Sequence, residues 1–319
     1  MNTASPSVNS RGLLRLAAVI AAFPLGMLLL AALLIVSPLY QRYTDEDWIT
    51  GAHDLYTASN RQCDIVIYGD STAMVGIDPR IVTERTHLKA CNIAPSMNSI
   101  KLVGTIPLDR YLARNPRPRY LFLQFLPSNM HPHPDPEDRR VGFDGYLPML
   151  RYGDAAQGVR QILMRPDVLI GMLHYAYVNA FINFRERRKG HASTVQPGAG
   201  SYMILPESPL SQCPNQEYFP LGDRSTAWAK QTRAHYAPMA GQLIFDAAPT
   251  FPCNHVVAQW SRTLSGLLDN TIEIYPTGQF VDGSNHPTRE GAIRRSNEIA
   301  DQILAAEGNA RSNVAEGSR

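Results

Sequence analysis

One stretch of the chain, Asp64–Ser71, limits the possible folds more than any other. Four β-prone apolar residues, Ile65 to Tyr68, run directly into a Gly-Asp-Ser turn. The stretch from Met74 to Arg85, with Pro79 near its first turn, then predicts a helix. A buried parallel strand that ends in a glycine turn before a helix is typical of open α/β sheets. Such sheets collect ligands beyond the carboxyl ends of their strands, so Ser71 is the first candidate nucleophile.

A nucleophilic serine needs a base within hydrogen-bond reach and a third group that orients that base. Near the other end of the chain, Asp282 and His286 lie in the segment Val281–Pro287. That segment follows the strand-like Thr271–Tyr275 and precedes the helix-like Thr288–Leu304. One loop at the carboxyl edge of the sheet can therefore hold both side chains.

These motifs resemble those of the SGNH hydrolase superfamily, also called GDSL-type hydrolases. The family carries its serine in a Gly-Asp-Ser turn after the first strand, and its aspartate and histidine near the C-terminus, usually as Asp-x-x-His. Here the spacing from Asp282 to His286 is one residue longer. The resemblance implies a Ser71–His286–Asp282 triad and no cofactor. It also implies a three-layer α/β/α fold of flavodoxin-like type with a short, mostly parallel sheet.

Two further blocks of the family supply oxyanion donors, and both occur here in altered form. Cys91–Met97 is similar to Asn-Leu-x-x-x-Gly, with Met97 in place of glycine. Leu126–Asn129 is similar to Gly-x-Asn preceded by a strand, with Pro127 in place of glycine. The donors that the resemblance implies are the backbone N–H of Ser71, a backbone N–H at Ala94 or Ser96, and the side chain of Asn129.

Each motif is weak by itself. A Gly-Asp-Ser triplet occurs by chance in about one chain in ten of this length. Ser71 alone could be a helix cap, and His286 alone could be a surface residue in a proline-bounded turn. The order of the motifs, each placed after a predicted strand or before the last helix, favours the catalytic interpretation.

A polar arm, residues 1–11, leads into an uncharged apolar run from Leu16 to Leu39. About 20 apolar residues cross a bilayer, so residues 12–40 are predicted to form a transmembrane signal anchor. The alternative is a cleaved signal peptide, but the run is longer than a usual h-region and no clear small-x-small site follows it. Arg11 and Arg15 precede the run and acidic residues follow it. The positive-inside rule then places the arm in the cytoplasm and the rest in a bacterial periplasm, beyond the cytoplasmic membrane.

Residues 44–308 suit one large α/β catalytic domain, and the polar end, residues 309–319, is predicted to be a disordered tail. Alternating patterns indicate a parallel sheet with right-handed crossovers. Further strands are predicted at Ala90–Ile93, Tyr120–Phe125, Gln242–Asp246 and Thr271–Tyr275, and helices at Ser99–Asn115, His255–Leu268 and Thr288–Leu304. The net charge is only +2, with acids and bases interspersed, so no nucleic-acid partner is expected.

Residues 131–236 exceed a minimal domain of this kind and are predicted to be a largely helical insertion. The insertion opens with His131–Pro136, where alternating prolines hold the backbone extended and make a poor metal cage, so no metal is expected. Asp154–Arg188 is predicted to be helical, and it can pack on the domain, lie at the membrane interface or cover the active-site cleft. Gly190–Pro220, rich in Gly, Pro and Ser, is predicted to be a surface loop.

The chain has four cysteines, and three complete pairings are possible. We expect Cys63 with Cys91 and Cys213 with Cys253, because neighbouring strands and neighbouring loops need the least chain movement. The alternative is that some of them are buried, unpaired small residues. The absence of a Cys-x-x-Cys motif gives zinc or redox chemistry little support.

The implied chemistry is acyl transfer through an acyl-enzyme, and three functions stay open. The first is an esterase acting on acyl groups, with acetyl expected, of an envelope or extracellular glycan or another ester. The second is an O-acyltransferase that receives its acyl group from a membrane-embedded partner. The third is a non-catalytic component of an envelope polysaccharide modification or assembly complex, which the departures at Met97 and Pro127 support. If His286 is not the base, the alternatives are His131, His133 and His255.

Overall fold

The computed structural model describes residues 10–38, 40–41, 47–131, 142–188, 200–205, 208–215 and 218–317. The chain forms two compact units. The first combines residues 1–45 with residues 160–191, and the second combines residues 46–159 with residues 192–319. The predicted insertion, residues 131–236, is therefore divided between the two units.

The second unit contains a small sheet of four parallel strands, which establishes its α/β character. The strands are β1 (Ile65–Gly69), β2 (Ala90–Asn92), β3 (Tyr120–Phe125) and β4 (Gln242–Ala247), in the order β2-β1-β3-β4. In β1 and β3 the register pairs Ile65 with Tyr120 and Gly69 with Gln124. All four strands lie where the apolar runs predict them.

Side chains of β1 and β3 alternate between two hydrophobic clusters, as the period of two in a strand requires. One cluster includes Val66, Tyr68, Leu121 and Leu123, and the other includes Ile65, Ile67, Tyr120 and Phe122. Both faces of the sheet are therefore buried, which is usual for parallel sheets.

Helices of the second unit are Asp47–Gly51, His53–Thr57, Ser71–Gly76, Pro79–Thr86, Met97–Val103, Ile106–Arg114, Phe143–Tyr152, Asp223–Tyr236, Val257–Thr263 and Arg289–Gly317. Those of the first unit are Ser10–Val36, Pro166–His174 and Ala180–Arg188, with a π-helical turn at Tyr175–Asn179, and Ala155–Leu163 has residues in both units. Short 3₁₀ turns occur at Pro127–Asn129, Ala237–Met239 and Thr277–Gln279.

Two predicted helices are divided. The helix predicted at Ser99–Asn115 is interrupted at Gly104, whose φ of 56° is left-handed and ends the first part. The helix predicted at Met74–Arg85 is interrupted before Asp78, whose carboxylate accepts the N–H of Arg80 at 3.0 Å and caps the second part.

The lengths of two other helices differ from the prediction. The helix predicted at His255–Leu268 is shorter, at Val257–Thr263. The last helix extends through Gly317, where the sequence predicts a disordered tail. The tail contains several good helix formers and no proline, so the backbone hydrogen bonds continue without a break.

The predicted fifth strand, Thr271–Tyr275, is not part of the sheet. In the described part of the chain it forms an isolated parallel bridge between Thr250 and Ile274. At the free edge of β4, the N–H of Phe245 donates to the carboxylate of Asp269 at 2.7 Å. The N–H of Asp269 also donates to the backbone oxygen of Phe245 at 2.9 Å, so Asp269 occupies this position on the edge of β4.

The N-terminal apolar run is helical, and its part Gly12–Val36 is long and apolar enough to span a membrane. This segment coincides with most of the predicted anchor, residues 12–40. Most of the polar arm before it, residues 1–9, lies outside the described residues.

Both disulfides have the pairing that the sequence favours, Cys63 with Cys91 and Cys213 with Cys253. The first joins the entry of β1 to β2. The second joins two loops that approach the segment carrying Asp282 and His286, since Leu210 donates its N–H to the backbone oxygen of Phe280 at 2.9 Å.

Candidate active site

Ser71 is the first residue of a short helix directly beyond the carboxyl end of β1. The end of β1 requires glycine, because a Cβ at Gly69 would lie 1.7 Å from the backbone oxygen of Gln124 in the neighbouring strand β3. Asp70 caps the helix by accepting the N–H of Thr72 at 2.9 Å. The N–H of Ser71 has no acceptor within the helix, as is normal for a first-turn residue.

The buried carboxylate of Asp70 connects this turn to the segment after β3. Its second oxygen accepts the N–H of Leu126 at 2.9 Å and the side-chain amide of Asn129 at 2.7 Å. These bonds satisfy a fully buried carboxylate and hold Asn129 beside Ser71. This role of Asp70 was not predicted from the sequence, although an aspartate directly before a helix is a recognisable N-cap.

The loop that carries Asp282 and His286 is closed at its base. Phe280 and Pro287 form an antiparallel bridge, and Val281 donates its N–H to the backbone oxygen of His286 at 2.9 Å. The loop therefore presents both functional side chains from a short, braced segment.

Asn285 accommodates the additional residue in this loop. It is buried, with a left-handed φ of 62°, a conformation that asparagine tolerates better than most residues. Its side-chain amide donates to the backbone oxygen of Pro249 at 2.9 Å, and its side-chain oxygen accepts the Tyr218 hydroxyl at 3.3 Å. The longer spacing from Asp282 to His286 is thus compatible with a triad.

The imidazole of His286 connects the other two predicted residues. Its Nε2 lies 2.9 Å from Oγ of Ser71, and its Nδ1 lies 2.7 Å from Oδ2 of Asp282. A neutral imidazole with its proton on Nδ1 can accept the hydroxyl proton in this geometry. The fold therefore brings together two residues, Ser71 and His286, that are 215 positions apart in the chain.

The alternative bases are placed differently. His131 lines the same cleft as Ser71, whereas His255 is exposed and is not among the described residues that line the cleft. His133 lies outside the described residues.

Asp282 is held as a carboxylate. Partial burial acts to raise the pKa of Asp282, but the hydrogen bond and charge of His286 and the N–H of Ser284 outweigh it, so the pKa lies below its ordinary value. The ionised carboxylate can stabilise the imidazolium that forms when His286 takes a proton. The side chain of His286 is 20% exposed, so a substrate can reach it from the cleft.

The predicted oxyanion donors differ in availability. Ala94 is fully buried, and its N–H donates to Oδ1 of Asn92 at 3.0 Å, which corrects the expectation that it faces a substrate. The reason is that Asn92, at the end of β2, turns its side chain back onto the following segment. Ser96 and Asn129 both line the cleft beside Ser71. One of the two amide hydrogens of Asn129 is used by Asp70, which leaves the other for an oxyanion.

A cleft of about 750 Å³ opens over Ser71 and His286, within the usual range for small-molecule sites. Five lining residues belong to, or pack against, one hydrophobic cluster and form an apolar wall: Trp48, Met74, Val75, Met203 and Leu205. Polar lining residues are Ser96, Lys101, Ser128, Asn129, His131 and Asp144. The cleft can therefore contact an apolar acyl group and a polar alcohol at the same time.

A buried arginine in the last helix braces the strands behind the site. Arg295 is 2% exposed and donates to Oε1 of Gln124 at 2.8 Å and to Oδ2 of Asp246 at 2.6 Å. Burial acts to lower the pKa of the guanidinium, but the charge of Asp246 raises it above its ordinary value. Arg295 was not predicted from the sequence. The signal was its position on the buried stripe between Ala292 and Ile299, where an apolar residue is usual.

Among the described residues, no group of three or more His, Cys, Asp or Glu side chains is placed to hold a metal ion. The His131–Pro136 segment considered above lies outside the described residues, apart from His131.

No protein-family model, curated protein or solved structure matches this chain. The function must therefore be inferred from the geometry of the site.

Proposed function

We propose that the protein is a serine-dependent acyl-ester hydrolase or O-acyltransferase of the SGNH type, with the three-layer fold of that family. The observation that carries the proposal is the imidazole of His286, which lies within hydrogen-bond distance of Ser71 on one side and Asp282 on the other. A helix cap and an unrelated surface histidine have no reason to meet in this arrangement.

In the proposed reaction, Oγ of Ser71 attacks the ester carbonyl carbon while Nε2 of His286 takes the hydroxyl proton. The tetrahedral intermediate collapses, the alcohol leaves with the proton from His286, and the acyl group stays on Ser71. Water, or the hydroxyl of an acceptor, then loses a proton to His286 and attacks the acyl-enzyme. The acid or new ester leaves as His286 returns this proton to Oγ of Ser71. Asp282 holds the ring in the required tautomer and stabilises the imidazolium.

The developing oxyanion would be met by the N–H of Ser71, the N–H of Ser96 and the free amide hydrogen of Asn129. Ser71 and Asn129 are joined through Asp70, so nucleophile and donor keep a fixed relation as the charge forms. Preorganised donors of this kind stabilise a transition state because no reorganisation is needed during the reaction.

The substrate we propose is an O-acyl group, acetyl first, on an envelope or extracellular glycan. The apolar N-terminal helix supports a single-pass membrane anchor. Arg11 and Arg15 before it favour the cytoplasmic membrane with the site on the periplasmic side. Two disulfides also support an oxidising compartment. In the transferase version, a membrane-embedded acyl donor protein is the partner.

Activity can be tested with the full-length protein in detergent. We expect it to hydrolyse p-nitrophenyl acetate, and an added glycan acceptor to gain acetyl groups if the enzyme is a transferase. A fluorophosphonate should label Ser71. Ser71→Ala should abolish turnover and labelling while keeping the melting temperature, and Ser261→Ala, at an exposed serine outside the cleft, should change neither. Undiminished turnover in Ser71→Ala would reject the proposal.

Topology can be tested by fusing reporters after Tyr43. A reporter that works only outside the cytoplasm should be active, and the full-length chain should sediment with membranes and keep its N-terminus. Activity of a cytoplasmic reporter at the same junction would reverse the orientation.

A non-catalytic component of a polysaccharide modification complex is the second candidate. One specific observation favours it: the N–H of Ala94 is engaged by Asn92, in a block where Met97 also replaces the expected glycine. Neither hydrolysis nor transfer, together with no labelling of Ser71, would select this candidate.

A further inference from the structure

The first unit contains a second apolar helix besides Ser10–Val36. Pro166–His174, Tyr175–Asn179 and Ala180–Arg188 follow one another without a break in helical backbone. We refer to them together as the 166–188 helix. Between Val168 and Phe184 this helix contains no Asp, Glu, Lys or Arg.

Two hydrogen bonds hold the 166–188 helix beside Ser10–Val36. The hydroxyl of Tyr177 donates to the backbone oxygen of Met27 at 2.9 Å, and the hydroxyl of Tyr40 donates to the backbone oxygen of Ala176. Met27 lies about 14 Å before Val36 along the helix axis, at 1.5 Å per residue. The contact with the 166–188 helix therefore reaches deep into the apolar helix and is not confined to its end.

Burial along Ser10–Val36 agrees with this contact. Ala31 and Ile35, one helical turn apart, are buried, whereas Leu25, Leu29 and Leu33 are exposed. One stripe of the apolar helix is therefore covered by protein, and the remaining surface is available to lipid.

The 166–188 helix also exposes large apolar side chains. Ile170 is 68% exposed and Phe181 is 65% exposed, and Val178 and Ile182 are exposed as well. Because the helix lies against the candidate anchor, these side chains add to the apolar surface that the first unit exposes.

Charged residues are confined to the two ends of the 166–188 helix. At one end, Arg165 pairs with Asp167, with 2.5 Å between guanidinium nitrogen and carboxylate oxygen. At the other end lie Arg185 and Arg188, in a mainly basic stretch that also contains Glu186. Long basic side chains that follow an apolar segment can extend to lipid phosphate groups.

We propose that the 166–188 helix is seated in the lipid bilayer, in the leaflet that holds the C-terminal half of Ser10–Val36. The proposal rests on the proposed anchor. Lipid acyl chains are the occupant that the contacts favour, because the exposed side chains add to the apolar surface of the first unit and the basic end suits anionic headgroups. The protein then holds the membrane with two apolar elements, only one of which spans it.

Environment-sensitive fluorophores on single added cysteines test this seating. Ile170→Cys and Phe181→Cys would be made in the full-length chain, whose four native cysteines are paired in disulfides, and labelled without reductant. The labelled protein would be reconstituted in vesicles of phosphatidylcholine and phosphatidylglycerol. Leu29→Cys on the anchor is the lipid-exposed control, and Ile293→Cys on the last helix is an equally apolar, exposed control in the second unit.

Spin-labelled lipids should quench the fluorophores at Ile170 and Phe181 as they quench the one at Leu29, and aqueous iodide should leave them bright. The fluorophore at Ile293 should show the opposite pattern. If Ile170 and Phe181 behave like Ile293, the seating is wrong. If iodide quenches the fluorophores at Ile170 and Phe181 in pure lipid vesicles but not in native membranes, this surface binds a protein partner and the proposed lipid seating is wrong. Iodide quenching at Leu29 itself would show that the anchor, and not only the second helix, had failed.

Discussion

Replacing Asp282 by asparagine tests how the site controls the tautomer of His286. In the protein, Oδ2 of Asp282 accepts Nδ1–H of His286 at 2.7 Å, while Oδ1 accepts the N–H of Ser284 at 2.8 Å. An asparagine keeps its oxygen on the N–H of Ser284 and turns its NH₂ group toward Nδ1. Nδ1 must then accept, so the ring proton moves to Nε2, which can no longer take the proton of Ser71.

We expect kcat of Asp282→Asn to fall by about 10³ to 10⁴-fold, which is about 4 to 5.5 kcal/mol of activation free energy. Asp282→Ala removes the orienting bond without imposing the wrong tautomer, so it should retain more activity than Asp282→Asn. Asn285 cannot replace the lost carboxylate, because its side chain is engaged with Pro249 and Tyr218.

The assay is steady-state hydrolysis of p-nitrophenyl acetate, with kcat and KM determined separately and the fold checked by thermal melting. His286→Ala sets the lower limit, at a loss of about 10⁴-fold or more. If Asp282→Asn is as active as Asp282→Ala, the tautomer is not controlled through this side chain and the reasoning is refuted.

Four further predictions concern Asn129, Gly69, Arg295 and the pH dependence of Asp282. Asn129→Ala should lower kcat/KM by about 100 to 1,000-fold in the ester assay; an unchanged value would remove Asn129 from the oxyanion donors. Gly69→Ala should lower the unfolding free energy by about 1–3 kcal/mol or more, since its Cβ would overlap the backbone of β3, and a parental urea midpoint would contradict this. Arg295→Met leaves the buried carboxylate of Asp246 unpaired and should cost about 3–5 kcal/mol in urea unfolding, part of which Asp246→Asn should restore. Because the pKa of Asp282 is lowered in the folded protein, its ionised form stabilises the fold above about pH 4. This stabilisation is lost as the pH falls through the pKa that Asp282 has in the folded protein. The difference in melting temperature between the parent and Asp282→Asn should therefore shrink between about pH 6 and about pH 3, and a constant difference would contradict the linkage.

Strand positions were predictable because each strand is a short apolar run with its own boundaries. The run that ends at Gly69 and the run Tyr120–Phe125 both lie in the sheet as expected. In Thr271–Tyr275 the apolar residues alternate with polar ones instead of forming a continuous run, and this segment stays outside the sheet. At the edge of β4, the carboxylate of Asp269 takes the N–H of Phe245. A local apolar pattern predicts a strand, and it does not report which backbone groups at the edge of the sheet are already satisfied.

In the candidate site, too, some features were predictable from the sequence and others depend on the folded structure. Ser71, Asp282 and His286 could be named from motif order, and Asn129 from the resemblance of Leu126–Asn129 to a family block. The engagement of Ala94 by Asn92 could not be foreseen, because it depends on the rotamer that the asparagine adopts in the folded chain. Motif spacing places a residue near a site, whereas side-chain direction decides whether its N–H is free.

By itself, the sequence determined the local features of this protein: short apolar strands, a first strand that ends in a glycine turn, and an uncharged apolar run near the N-terminus. These depend on steric and hydrogen-bonding preferences within a few residues. Only the tertiary structure decided that Nε2 of His286 reaches Ser71, and that Arg295 is buried against Asp246. Such contacts join distant parts of the chain, and their geometry is set by the packing of all the elements between them.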